Sequence, residues 1–476
     1  MASPISVTDD AGAKMLEVES QRALLVDLYE LTMAAAYFEQ KVDCRATFEL
    51  FVRQMPPERA YLVAGGIEDA LDYLADLKFR DEDLSFLRSL PVFRNISSDF
   101  FNYLRQFRFA GEVDAVEEGT LVFAEEALLQ VTAPILQAQI VETYLLSVIN
   151  YETLVASKAA RVVHAARGRG VLEFGTRRAQ GPEAGLRAAR AAYLGGCVAT
   201  SNVLAGFRYG IPLAGTAAHS WTQAFPTERQ SFQALLDTFP EDAILLIDTY
   251  DPLAGAETAA TLGRKIPGVR IDSGDLLEKS CEVRKILDRH GLSEAKIVAS
   301  GDLNEYKIAS LLSQGAPIDL FGVGTDLVTS RDVPALSVVY KLVETERDGH
   351  VEYKSKFSEE KVYLPGRKQV FRFYEGAHFH HDLIACAHEK SPEATPLLYP
   401  VMRQGRRVKS RARLLDSRTG VLGNLALLPE PYHALQNAPA YPVAISPALH
   451  RLLEQVHEQT FARQKLEIGN SKMETR

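Results

Sequence analysis

Between residues 170 and 326 the chain repeats one pattern seven times, and that rhythm limits its fold more tightly than any other feature. Short β-branched or apolar runs each end in small and polar residues: "GVLEFGTRR" (170–178), "CVATSN" (197–202), "IPLAGTAAHS" (211–220), "AILLIDTYD" (243–251), "GVRIDSGD" (268–275), "KIVASGD" (296–302) and "IDLFGVGTD" (318–326). Segments such as "EAGLRAARAAYLG" and "LLEKSCEVRKILDRHG" lie between them, with apolar positions at helical spacing and glycine at several ends. Strands alternating with helices make βαβ units on a parallel sheet. Seven such strands in about 160 residues suit an α/β barrel of the TIM type, complete or incomplete, better than an open two-layer sheet.

A barrel places its reactive groups at the C-terminal strand ends. Here those ends carry Glu173, Arg177, Ser201, His219, Asp248, Asp251, Asp272, Asp275, Asp302 and Asp326. One carboxylate after a strand is ordinary helix capping. Ten polar groups at seven successive ends point to a site, though not through every member. His219 taken alone would be a packing residue. In this set its near-neutral pKa type suits proton or phosphoryl chemistry.

The flanks read differently. "RALLVDLYELTMAAAYFEQ" (22–40) is an amphipathic helix, "CRATFELFVRQMP" (44–56) alternates as a strand, and 111–135 reads as strand, turn, strand. A long helical segment (139–168) leads into the barrel, and 337–374 reads as antiparallel strands that rejoin the N-terminal part. The expected division is 1–138 as an α+β domain, 139–336 as the barrel, and 337–476 as a C-terminal segment completing the first domain. Among 476 residues the net charge is −9, so no positive field is available to hold nucleic acid. The basic run "RQGRRVKSRARLL" (403–415) reads as a solvated face. Four dispersed cysteines without CxxC spacing fit reduced thiols in a cytoplasm. The first residues, "MASPISVTDDAGAKM", do not resemble a signal peptide, and no apolar stretch is long enough for a membrane span.

Glycines in "VASGDLNE" (298–305) and "FGVGTDLVTS" (321–330) let backbone N–H groups approach an anion, with a helix starting just beyond. Either loop alone is equally a tight turn; two on adjacent strands favour phosphate. "GRKIPGVR" (263–270) has P-loop glycine spacing but Val269 and Arg270 where Lys and Ser/Thr belong, and no strand precedes a GxGxxG. Arg270 and Asp272 lie two apart and share a strand face, as a ligand-holding pair or an internal ion pair. Phe174 offers a stacking surface and Arg177 a partner for phosphate or carboxylate. Tyr29 could add a second aromatic face.

Eight blocks now stand in order: "DLYELTMAAAYF", "EFGTRRAQGPEAG", "ATSNVLAG", "GTAAHSW", "LLIDTYD", "VRIDSGDL", "SGDLNE" and "FGVGTDL". Over residues 22–340 the chain resembles the nicotinate phosphoribosyltransferases, type II phosphoribosyltransferases. The resemblance implies an α/β barrel with a separate α+β domain, and a homodimer with active sites at the subunit interface. It implies nicotinate and phosphoribosyl pyrophosphate as substrates, Mg²⁺, and ATP hydrolysed through a phosphohistidine. By motif match His219 is the phosphorylated residue. Asp248 is the acid that pairs with it and helps at the Mg²⁺–pyrophosphate. Phe174 and Tyr29, the latter from the other subunit, would sandwich the pyridine. Arg270 would lie near its substituent, Asp272 at the ribose diol, and Arg177 on phosphate. Ser300, Gly301, Gly322, Gly324 and Thr325 would hold the 5′-phosphate.

Nicotinamide-using relatives carry an aspartate in the "ATSNV" block, where this chain has Ser201. A serine can donate to a carboxylate that an aspartate would repel, which favours nicotinate. A nicotinamide phosphoribosyltransferase is the alternative within the class, and a non-catalytic barrel binding a phosphorylated metabolite the alternative outside it. The quinolinate enzymes match less well, lacking the histidine block.

Overall fold

A computed structural model describes residues 21–358 and 362–474, with side chains described up to 464. The N-terminal residues read above for a signal peptide lie outside that range. Six parallel strands form one sheet in the spatial order Ala199–Thr200, Gly170–Glu173, Leu320–Val323, Lys296–Ala299, Gly268–Ile271 and Ile244–Leu246. The last strand pairs with the first, as in a barrel, and each strand neighbours the next in sequence except Ala199–Thr200 and Ile244–Leu246, which stand at the two edges. The ring stays open on one side. The expected strand at 211–214 is reduced to a single parallel bridge between Leu213 and Thr200. Pro212 accepts from the Thr200 N–H at 3.0 Å but has no N–H to extend the ladder. Beyond it lie the short helix His219–Gln223 and the helix Glu228–Thr238, before the Ile244–Leu246 strand. The fold is therefore an incomplete barrel.

Alternation within each strand decides what faces inward. On Gly268–Ile271, Val269 and Ile271 are fully buried in the apolar layer shared with the surrounding helices, whereas Arg270 lines the central cavity. Leu172, Ala199 and Val298 close the barrel floor. The long helix Glu142–Ala165 begins three residues later than the helical segment read from sequence. It crosses between the two apolar cores, with Leu145 and Val148 in one and Val155 and Val162 in the other.

The second unit is an antiparallel sheet in which N- and C-terminal segments are interleaved. Arg45–Val52 pairs on one side with Ala127–Pro134 and on the other with Val338–Arg347; Tyr399–Arg403 pairs with Glu112–Ala115. The basic run at 403–415 departs from the expectation of a solvated face. Arg407 donates to Glu68 and Asp72 at 2.7 and 2.5 Å, and Arg411 to Asp69 and Asp72. Arg403 donates to Asp114 at 2.7 Å. Those acids belong to the helix Ile67–Asp76 and the strand Glu112–Ala115, so the run ties the C-terminal segment onto the N-terminal one. Among the described residues no helix is long and apolar enough to cross a membrane.

Candidate active site

A cavity of about 420 Å³ opens at the C-terminal ends of the parallel strands. Eleven of the thirteen residues that the resemblance assigned to the site line it: Phe174, Arg177, Ser201, His219, Arg270, Asp272, Ser300, Gly301, Gly322, Gly324 and Thr325. Tyr29 and Asp248 do not.

Arg270 is the organising residue. Its Nε donates to Ser300 Oγ, one terminal nitrogen to Thr216 Oγ1 and the other to Asp272 Oδ1, each at 2.7 Å. Its guanidinium carbon lies 5.9 Å from the centroid of the Phe174 ring. The two readings of the Arg270–Asp272 pair therefore hold together: it is an internal ion pair, and both members face the cavity. Burial works against charge on Asp272. The hydrogen bond from Ser300 (2.5 Å), then Arg270 and His219, outweigh it and hold the carboxyl below the usual range.

Two of the three site glycines are steric necessities. A Cβ on Gly322 would come within 2.6 Å of the Phe174 ring, so glycine lets that ring lie against the neighbouring strand. Gly301 has φ +100°, and its Cβ would sit 2.2 Å from the Asp272 carbonyl oxygen. The helix after Gly324 is only Thr325–Val328, so its dipole adds less than the sequence suggested.

His219 opens the short helix His219–Gln223. Its Nδ1 lies 3.2 Å from Thr249 Oγ1 and its Nε2 4.0 Å from Asp272 Oδ2. The pairing of His219 with Asp248 expected from the family is not what the structure holds. Asp248 Oδ2 accepts from the Asp272 N–H and from Ser273 Oγ, both at 2.8 Å, turning its carboxylate onto the adjacent strand end. Asp248 Oδ1 is buried without a hydrogen-bond partner.

The other polar strand ends divide by what they bond. Asp251 and Asp275 cap helices through the N–H groups of Ala254, and of Leu277 and Glu278. Glu173 is a brace, accepting from the Gly175 N–H and from Thr200 Oγ1. Asp302 lines the cavity, and Asp326 accepts from Asn304. Arg178 and Thr216 were not singled out from sequence. Arg178 could have been suspected beside Arg177; a lone threonine in a loop carries no pattern. Tyr29 stands near the start of the helix Leu28–Glu39, 46% exposed.

Three family models match in series: the nicotinate phosphoribosyltransferase N-terminal domain over residues 24–150, the nicotinate phosphoribosyltransferase family over 170–359, and its C-terminal domain over 392–453. The chain is 45% identical over 432 residues to nicotinate phosphoribosyltransferase pncB2 of Mycobacterium tuberculosis, covering 89% of this chain and 91% of that one. It is 39% identical over 471 residues to the Bacillus subtilis nicotinate phosphoribosyltransferase, covering 92% and 95%. The crystal structure of human nicotinic acid phosphoribosyltransferase superimposes with a TM-score of 0.79 at 30% identity, covering 91% of this chain and all of that one.

Proposed function

The chain belongs to the nicotinate phosphoribosyltransferase family, and on that premise we propose that it joins nicotinate to phosphoribosyl pyrophosphate, releasing nicotinate mononucleotide and pyrophosphate. The observation that carries this reading is one cavity holding an aromatic face, a fixed arginine and two glycine-bearing loops. The pyridine lies on Phe174 and turns its carboxylate to Arg270, with the neutral Ser201 nearby. Ser300, Gly301, Gly322, Gly324 and Thr325 hold the 5′-phosphate, Asp272 the ribose diol, and Arg177 a phosphate of the leaving group. The ring nitrogen lone pair attacks C1′ as the C1′–O bond to pyrophosphate breaks, and the leaving group keeps that electron pair. Positive charge grows on the ribose, near the ionised Asp272, and negative charge on the pyrophosphate, near Arg177.

ATP acts through His219. A ring nitrogen takes the γ-phosphoryl group as its bond to the bridging oxygen breaks and ADP leaves; hydrolysis later returns phosphate and free histidine. Support comes from the imidazole's place in the cavity wall, between Thr249 and Asp272. The unpartnered buried Oδ1 of Asp248 suits a cation, so the site fits Mg²⁺. No group of three His, Cys, Asp or Glu side chains suited to a metal occurs among the described residues, in keeping with Mg²⁺ held largely by substrate phosphates and water. When bound, Mg²⁺ neutralises charge on the pyrophosphate.

The active form in this reading is a homodimer with shared sites. Val203, Leu204 and Phe207, close after Ser201 in sequence, are exposed, as is Leu213, and Phe207 is 87% exposed. That surface suits a second copy, and the partner subunit's Tyr29 would supply the missing aromatic face. We place the reaction in NAD salvage in the cytoplasm, where four unpaired cysteines remain reduced.

The test is incubation of the purified protein with phosphoribosyl pyrophosphate, Mg²⁺ and either nicotinate or nicotinamide, with and without ATP. Nicotinate mononucleotide should form faster with ATP, and His219→Ala should abolish ATP hydrolysis while leaving weak ATP-independent synthesis. Preference for nicotinamide would overturn the substrate assignment. ATP coupling that survives His219→Ala would overturn the phosphohistidine.

A further inference from the structure

We propose that Lys158 is a positioning residue for phosphoribosyl pyrophosphate, a buried clamp that sets the spacing of the two glycine-bearing loops. The inference rests on the reading that those loops hold the 5′-phosphate.

The loops follow adjacent parallel strands, Lys296–Ala299 and Leu320–Val323. One runs through Ser300 and Gly301 to Glu305, the first residue of the helix Glu305–Ser313. The other runs through Gly324 and the four-residue helix Thr325–Val328 to Asp332. Both carry left-handed backbone that is costly to hold, at Gly301 (φ +100°), Asp302 (φ +47°) and Ser330 (φ +41°). Backbone N–H groups recognise a phosphate well only when their spacing is fixed beforehand, so two separate loops need ties between them. One tie is direct, from Asn304 Nδ2 to Asp326 Oδ2 at 2.9 Å.

Lys158 supplies another, from outside. It lies on the long helix Glu142–Ala165, and its ammonium reaches Glu305 Oε2 at 2.7 Å and Asp332 Oδ1 at 2.8 Å. Its side chain is 2% exposed and that of Glu305 is fully buried. Without a cation between them, the two carboxylates would repel one another where water barely reaches. An arginine fixes each end of the clamp. Arg161, three residues further along the helix, donates to Glu305 Oε1 at 3.2 Å. Arg59 donates to both Asp332 oxygens at 3.2 Å and to Ser330 Oγ at 2.8 Å. Burial works against charge on Asp332, but Arg59 and Lys158 outweigh it and hold the carboxyl at about 2. Lys158 does not line the cavity that holds Arg270 and His219, so it acts on the substrate only through the loops.

Lys158→Met keeps the length of the side chain and removes its charge. Asp332→Asn keeps the shape and weakens one end of the clamp, at a side chain that is 28% exposed. Steady-state kinetics with phosphoribosyl pyrophosphate and nicotinate varied separately distinguish positioning from general damage. In Lys158→Met, KM for phosphoribosyl pyrophosphate should rise at least about tenfold while KM for nicotinate stays within about threefold. Asp332→Asn should raise the same KM at least about threefold, and it carries the test by itself where Lys158→Met does not fold. The double variant should be no worse than Lys158→Met, because both changes break one tie. An unchanged phosphoribosyl pyrophosphate KM in either folded variant, an equal rise for both substrates, or losses that multiply in the double variant would each overturn the proposal. Gly301→Ala, assayed alongside, tests the reading beneath it. If that variant leaves KM for phosphoribosyl pyrophosphate unaltered, the loops do not hold the phosphate and the proposal falls with them. A raised KM in Gly301→Ala beside an unaltered Lys158→Met would sink the clamp alone.

Discussion

At residue 201 a hydroxyl stands beside a cavity whose fixed cation is Arg270. An aspartate there would set a negative charge near the nicotinate carboxylate and offset the arginine, while offering an acceptor to a carboxamide N–H. Ser201→Asp should therefore lower kcat/KM for nicotinate at least about tenfold and raise the share of nicotinamide mononucleotide in a competition between the two pyridines. An unchanged ratio would mean that the side chain does not face the pyridine substituent. The residue scale also shows where pattern reading stops. Arg270 and Asp272 were legible because two-residue spacing on a strand dictates a shared face. Asp248 was legible as a strand-end acid, but its direction was not. The Asp272 N–H and Ser273 Oγ on the next strand end take one of its oxygens, and the imidazole is left with Thr249 and Asp272. That competition is settled in three dimensions, between groups 24 and 25 residues apart.

The loops after the strands work because they approach one another more closely than ordinary residues allow. Gly301 shows this most directly, since its left-handed backbone and its 2.2 Å approach to the Asp272 carbonyl are separate reasons for glycine. Gly291 also has a positive φ, +74°, but open space around its missing side chain. Comparing the two alanine variants separates strain from collision. Gly291→Ala should cost only about 1–2 kcal/mol of stability, with kinetics unaltered. Gly301→Ala should also push its loop off the Asp272 strand end and raise KM for phosphoribosyl pyrophosphate at least about tenfold. Thermal melts and kinetics on both variants check this; equal behaviour would mean that the close approach does not matter to the phosphate loop. The same scale explains the one expected barrel strand that failed to form. "IPLAG" has the apolar content of a strand, but Pro212 cannot donate and the ladder stops at Leu213. The barrel opens there, and the freed segment carries Thr216 and His219 to the cavity.

Across the whole molecule, the long-range order comes from charge pairs that composition cannot reveal. The alternation of strands and helices announced the barrel, and the antiparallel runs at both ends announced a second sheet, because each pattern is local. The partners of the 403–415 arginines were not legible: Arg407 meets Glu68 and Asp72 across 339 and 335 residues of chain. In sequence such a run looks the same whether it faces solvent or a distant helix. The structure separates its members. The Arg407 side chain is largely buried and also donates to the Glu68 carbonyl at 2.7 Å. Arg413 is exposed and pairs only locally, with Asp416. Removing Arg407 strands the partly buried Glu68 carboxylate on the helix Ile67–Asp76 and leaves Asp72 to Arg411 alone, whereas removing Arg413 frees only an exposed carboxylate. Arg407→Ala should therefore cost about 2–3 kcal/mol and lower the melting temperature measurably, and Arg413→Ala should leave the melting temperature unchanged. Limited proteolysis of the same variants adds a spatial readout: cleavage after Arg407→Ala should speed up in the C-terminal segment while the barrel stays protected. Equal losses from both variants would return the whole run to the solvated surface, and the interleaved sheet would then have to hold the two ends of the chain together without it.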